Sequence, residues 1–126
     1  LVPVIKMASR FSAQELDVEI DRLSTRARTG QLMLEEMSGG TFTLTNSGAF
    51  GTVFFTPIIN YPEAAILGMG KVRETAVVRN QQLGVGLMMY LCLSYDHRIV
   101  DGAVAAEFLQ AIKQLLETPR SLLSPK

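Results

Sequence analysis

Nine consecutive residues, Leu87-Met88-Met89-Tyr90-Leu91-Cys92-Leu93-Ser94-Tyr95, constrain the fold more than any other stretch of this chain. The run is too apolar for a surface loop and too short for a long helix, which leaves a buried strand or a segment of core helix. Gly84 and Gly86 ahead of it, and the polar Asp96-His97-Arg98 behind it, favour the strand. The segment after Gly102 is helical in period. Val104, Phe108, Ile112 and Leu115 recur at spacings of four, four and three, Leu116 widens the stripe, and Pro119 bounds the far end. A buried strand that passes through a polar turn into an amphipathic helix belongs to an α/β chain, and side chains on such a turn emerge from the sheet into a cleft.

The remaining elements agree. Val2 to Ile5 reads as a short strand, placed at an edge by Pro3. Ser12 and Glu15 predict a capping box, with Phe11 and Leu16 as the hydrophobic staple across it. The helix they announce carries Leu16, Ile20, Leu23 and Ala27 on one face, and Gly30 follows as its C′ residue. Its charged face, with Glu15, Glu19, Asp21, Arg22 and Arg26, reads as solvated. Leu34 to Met37 adds one turn before Gly39-Gly40. Thr41 to Thr45 alternates Thr and apolar residues as a half-buried strand does. Asn46-Ser47-Gly48 and Gly51 form a loop, Thr56 to Asn60 is extended, and Ala64–Met69 and Thr75–Val78 are strands. Asn80-Gln81-Gln82 is the hairpin turn before the Gly84 strand. The sum is one domain over residues 1–126, an α/β two-layer sandwich with a mixed, largely antiparallel sheet and the helices near 12–29 and 102–118 on one face.

Composition narrows the function. A chain of 126 residues buries roughly two-thirds of its unfolded surface. Twelve basic and twelve acidic side chains cancel, so there is no electrostatic footprint for nucleic acid or an anionic membrane. One cysteine excludes an internal disulfide, and one histidine with scattered carboxylates gives metal ligation little support. No apolar stretch approaches the length of a membrane span, and no basic-then-apolar leader is visible. The expected setting is intracellular. A hydrophobic fraction of 48% is high for this length, which fits either a well-filled core or apolar surface meant for a partner.

Most polar or reactive groups read as structural. Cys92 lies five positions before His97, so on a regular strand the two side chains point to opposite faces and cannot form a dyad. Glu35 and Glu36 are adjacent and do not face each other. The glycines match neither GxxxxGK[ST] nor GxGxxG. Met88 and Met89 read as core. His97, the only histidine, is either a satisfied side chain at a strand end or a general base, since imidazole takes up and returns a proton near neutral pH. Asp101, four residues on, is well placed to N-cap the last helix.

The stretch SYDHRIVDG resembles the active-site signature of the dihydrolipoamide acyltransferases, the core-forming components of 2-oxo acid dehydrogenase complexes. LVPVI, GQLMLEEMSGGTFTLTNSGAFG, TPIINYPEAAILGMGKV and MMYLCLSYDHR resemble the same family in the same order. HxxxDG alone also occurs in chloramphenicol acetyltransferase and in peptide-synthetase condensation domains, but those relatives usually have a second histidine where this chain has Asp96. The resemblance implies the C-terminal part of a chloramphenicol-acetyltransferase-like catalytic domain. It further implies transfer of an acyl group between dihydrolipoamide and coenzyme A, with His97 as general base, Thr45 as oxyanion donor from a neighbouring subunit, and Asp101 both holding the histidine loop and capping. Without the resemblance Thr45 is an ordinary strand threonine. Arg98 reads as structural.

The resemblance also implies a lipoyl group on a separate lipoyl domain, coenzyme A as substrate, and no metal. The implied assembly is a homotrimer built into a 24-mer or 60-mer core, which works with decarboxylase and dihydrolipoamide dehydrogenase components in bacterial cytoplasm or the mitochondrial matrix. The arginine expected to pair with Asp101 and part of the coenzyme A site fall outside these residues, which leaves open whether this chain is active alone. Acetyl, succinyl and branched-chain members share these motifs. Two other readings stand beside it. One is a non-catalytic core subunit, which would need none of His97, Thr45 and Asp101; the other is a free-standing small-molecule acetyltransferase, against which Asp96 counts.

Overall fold

A computed structural model describes residues 1–122. The chain divides into two compact units, one comprising Leu1–Thr41 and the chain from Gln110 onward, the other Phe42–Leu109.

In the first unit, helix α1 spans Ala13–Arg28. It starts where the capping box predicts, with the Ser12 N–H donating to Glu15 Oε2 at 2.7 Å and the Glu15 N–H to Ser12 Oγ at 3.3 Å. Gly30 takes a left-handed φ of 69° just past its end, a conformation that costs glycine little. Leu23 is the buried anchor of the apolar face, at 2% exposure, while Ile20 is exposed. Two expectations fail here. The charged face is not merely solvated: Arg22 and Arg26 both reach Glu36 Oε1, at 2.8 and 3.1 Å, and Arg22 also pairs with Glu19. Glu36 in turn accepts the Met33 N–H at 3.0 Å, so one carboxylate ties the 3₁₀ turn Leu34–Met37 to the helix. A partner fourteen residues away is invisible to helical periodicity. Residues 2–5 form no strand either. Val4 donates to the Glu36 carbonyl at 2.8 Å, but Pro3 has no N–H to give and no ladder develops.

In the second unit, β1 (Thr43–Asn46), β2 (Ala65–Met69) and β5 (Leu91–Tyr95) form a mixed sheet in the order β1-β2-β5. β1 runs parallel to β2, and β5 antiparallel to it. The middle strand, Ala-Ile-Leu-Gly-Met, has no polar side chain to solvate and is buried over Ala65–Gly68. β3 (Arg73–Arg79) and β4 (Gln82–Met88) make a separate two-stranded hairpin. Asn80 and Gln81, with φ of 50° and 62°, form its two-residue turn, as hairpin twist demands. Helix α2 (Gly102–Glu117) begins in this unit, where Phe108 meets Phe42 edge-on at 5.7 Å and Ala105 is buried.

The Leu87–Tyr95 run is not one buried strand. It breaks at Met89-Tyr90 between β4 and β5, and only its second half joins the three-stranded sheet. Leu87 and Met88 close the hairpin at 71% and 42% exposure, so Met88 is not core. An unbroken apolar run offers no periodicity from which to place such a junction. Hairpin register puts Val78, Leu83, Val85 and Leu87 on one face, and among the described residues none covers it: Leu83 is 79% exposed.

Glycines pin the loop after β1 to the sheet. A Cβ on Gly70 would stand 2.1 Å from the Val53 carbonyl oxygen, and one on Gly48 2.6 Å from the Gly70 backbone. The close approach lets Lys71 N–H reach Thr52 O at 2.8 Å and Gly70 N–H reach Tyr90 O at 2.9 Å. Gly70→Ala is therefore expected to cost about 3 kcal/mol, the upper part of the overpacking range. Gly84→Ala, with nothing within 4 Å of the added carbon, should be nearly silent. Urea midpoints of the two variants check the contrast.

Candidate active site

The β2–β5 ladder continues one bond past Tyr95, with Asp96 N–H donating to Ala64 O at 2.8 Å. There the chain turns. The N–H groups of Ile99 and Val100 both donate to the Asp96 carbonyl, at 3.1 and 3.0 Å. The Asp96 carboxylate accepts the Arg98 N–H at 3.0 Å, Nε at 2.9 Å and Nη2 at 2.6 Å. These bonds, the side-chain ones foremost, pull the Asp96 carboxyl down to about 2, so it is ionised throughout the neutral range.

His97 sits on this turn with its side chain exposed. Its ring lies 5.5 Å from that of Tyr95, the planes tilted by 42°. A Cβ on Gly102 would lie 3.5 Å from the Tyr95 hydroxyl, so the start of α2 runs close behind that phenol. Asp101 caps α2 as expected, accepting the Val104 N–H at 2.9 Å. Among the described residues no hydrogen bond joins Asp101 to His97.

Thr45 is half-buried in β1 and stands at the opposite end of the sheet. It pairs with Gly68, which pairs with Cys92, whereas Tyr95 pairs with Ala65. At about 3.3 Å per residue and 4.8 Å per strand, even Tyr95 is about 10 Å along the sheet and 10 Å across it from Thr45. His97 lies two residues beyond. One chain cannot bring both side chains to the same reacting carbonyl. Cys92 is buried in mid-strand, and among the described residues no three His, Cys, Asp or Glu side chains could share a metal ion.

The sequence motif by itself gives Arg98 no role beyond structure and Asp96 none beyond marking a departure from the two-histidine relatives. The signal was present, because Asp-x-Arg at a strand end is an Asx turn with a cationic second partner. Glu63 carries no such signal in the sequence. It precedes Ala64 at the same end of the sheet and accepts hydrogen bonds from the buried Thr43 hydroxyl and from Asn60 Nδ2.

The sequence profile of the 2-oxoacid dehydrogenases acyltransferase (catalytic domain) matches residues 1–124. The chain belongs to this acyltransferase family. It is 48% identical over 123 residues to the mitochondrial dihydrolipoyllysine-residue succinyltransferase component of the 2-oxoglutarate dehydrogenase complex from Saccharomyces cerevisiae, covering 98% of this chain and 27% of that protein. The Pseudomonas aeruginosa succinyltransferase component is also 48% identical, with 30% of its length covered. Among solved acyltransferases, the cubic core of a pyruvate dehydrogenase multienzyme complex superposes with a TM-score of 0.92 at 40% identity, covering 98% of this chain and 51% of that one. The Azotobacter vinelandii dihydrolipoamide acetyltransferase gives 0.92 at 39% identity, again over 98% and 51%. That enzyme was investigated for the role of a serine, a histidine and an asparagine in its catalytic mechanism; the histidine follows the serine by fifty-two residues and precedes the asparagine by four. The fold is thus that of the family's catalytic core. The chain spans under a third of these curated relatives and about half of the solved cores.

Proposed function

We propose that residues 1–126 are the C-terminal portion of an acyltransferase catalytic domain that moves an acyl group between dihydrolipoamide and coenzyme A, with His97 as general base. The observation that carries this is the strand-to-helix turn that presents His97, in a chain whose Thr45, His97 and Asp101 repeat the fifty-two and four spacing of the Azotobacter serine, histidine and asparagine. Threonine keeps the hydroxyl of serine. Aspartate keeps the N-capping oxygen of asparagine.

A thiol of ordinary pKa is mostly protonated at neutral pH, yet only the thiolate attacks a carbonyl well. Neutral His97 takes the coenzyme A thiol proton as its sulfur bonds to the acyl carbon. The carbon–sulfur bond to dihydrolipoamide then breaks, and His97 returns the proton to the departing sulfur. Thr45 of a neighbouring copy donates its hydroxyl to the oxyanion that forms between these steps. Transfer is direct and no acyl-enzyme forms. The separation of Thr45 from His97 within one chain supports a site shared between copies, and the cubic core among the structural relatives supports a homotrimer built into a cubic or icosahedral core. Its partners are a lipoyl domain carrying the acyl donor and the decarboxylase and dihydrolipoamide dehydrogenase components, in bacterial cytoplasm or the mitochondrial matrix.

Identity of 45–48% to succinyltransferase components favours succinyl as the group transferred. Assaying the full-length assembled protein in reverse, from succinyl-, acetyl- and isobutyryl-coenzyme A to dihydrolipoamide, tests both claims. Succinyl transfer should have the highest kcat/KM. No transfer from any of the three would overturn the functional reading, and a preference for another acyl group would overturn the succinyl assignment.

A further inference from the structure

We propose that Asp96 and Arg98 are positioning residues, a charge-balanced clamp that fixes the orientation and the charge environment of His97; this rests on His97 being the general base. Asp96 uses every hydrogen-bonding group it has. Its N–H is committed to Ala64, its carbonyl to Ile99 and Val100, and its carboxylate to the N–H and guanidinium of Arg98. The whole turn therefore hangs on one residue adjacent to the histidine. The fork that closes it is two-pronged, and a planar guanidinium gives it a geometry that a flexible ammonium cannot reproduce.

The ion pair itself adds little to folding, because the Arg98 side chain is 82% exposed. What the fork does fix is the path of three residues whose middle member is the base. Tyr95 completes the support by packing its ring against the imidazole.

The clamp also sets the local charge. Asp96 and Arg98 flank His97 with opposite charges, and the Asp96 carboxyl, held down at about 2, stays ionised throughout the neutral range. The other ionisable groups at this end of the sheet are Tyr95 on β5, Glu63 ahead of β2 and Asp101 ahead of α2; Cys92 lies further back on β5, and Glu107, Lys113 and Glu117 lie further along α2. They are common to all the variants compared. Removing Asp96 alone leaves a cation beside the imidazole, which disfavours its protonated form; removing Arg98 alone leaves an anion, which favours it.

The test is the pH dependence of kcat/KM, with kcat and KM for coenzyme A, in the full-length assembled protein bearing Asp96→Asn, Arg98→Gln, both together, or Arg98→Lys. Asparagine keeps the acceptor for the Arg98 N–H, so the turn still forms. Each variant should lose kcat by about tenfold, with KM within about twofold. The apparent pKa of the base should fall by about half a unit in Asp96→Asn and rise by as much in Arg98→Gln. In the double variant and in Arg98→Lys it should return to the wild-type value while kcat stays low. Wild-type kcat in Asp96→Asn, or pKa shifts of the same sign in the two charge-removing single variants, would overturn the proposal. His97→Ala measured alongside separates the two levels. If that variant stays active, the base assignment fails; if it is inactive while the clamp variants match wild type, only the clamp fails.

Discussion

Replacing His97 by alanine in the full-length assembled protein is expected to lower kcat by about 10²- to 10⁴-fold, the usual worth of a positioned general base. The structure makes this variant unusually clean. Within this chain His97 is exposed on a turn held by Asp96, so its removal takes nothing from the core that this chain builds. Tyr95 loses one ring contact and the backbone of the turn keeps all its bonds. Assembly, read by sedimentation, should be unchanged. A variant that assembles normally and keeps most of its activity would remove His97 from the mechanism.

Thr45→Val is the second large effect. The substitution preserves shape on a half-buried strand position and deletes one hydroxyl. A donor aimed at an oxyanion stabilises the transition state more than the bound substrate, so kcat should fall by about 10²- to 10³-fold with little change in KM. Thr45→Ser, which keeps the hydroxyl, should be far milder. A rise in KM alone would make Thr45 a binding or packing contact.

Local chemistry was legible in the sequence wherever a short-range rule governs it. The Ser12–Glu15 capping box, the Gly30 helix end and the Asp101 N-cap all occur where their side chains demand them, and the turn expected over Asn80-Gln81-Gln82 is there too, one residue tighter, with Gln82 already in β4. The failures have a common physical origin in contacts that sequence spacing does not encode. Glu36 reaches back to Arg22 and Arg26 across a loop, and Val4 finds a turn carbonyl instead of a strand. The apolar Leu87–Tyr95 run conceals the handover from hairpin to sheet because uniform apolarity carries no phase. Hydrophobicity also says nothing about what covers a residue, and Met88 and Leu87, expected in the core, lie exposed on this chain. At the site, the motif identified His97 and Asp101 as neighbours in sequence. The distance from His97 to Thr45 became readable only through the parallel β1–β2 and antiparallel β2–β5 registers.

Those registers lead to the central claim, that each catalytic centre is assembled from two copies. Co-expressing His97→Ala chains with Thr45→Val chains tests it directly. In a ring of head-to-tail contacts, each centre takes His97 from one copy and Thr45 from the next, so equal random mixing gives about one centre in four with both intact. The account predicts recovery to about a quarter of wild-type activity from two nearly inactive variants. Mixed assemblies no more active than the two variants measured apart would contradict it, because a centre contained within one chain cannot be repaired by its neighbour.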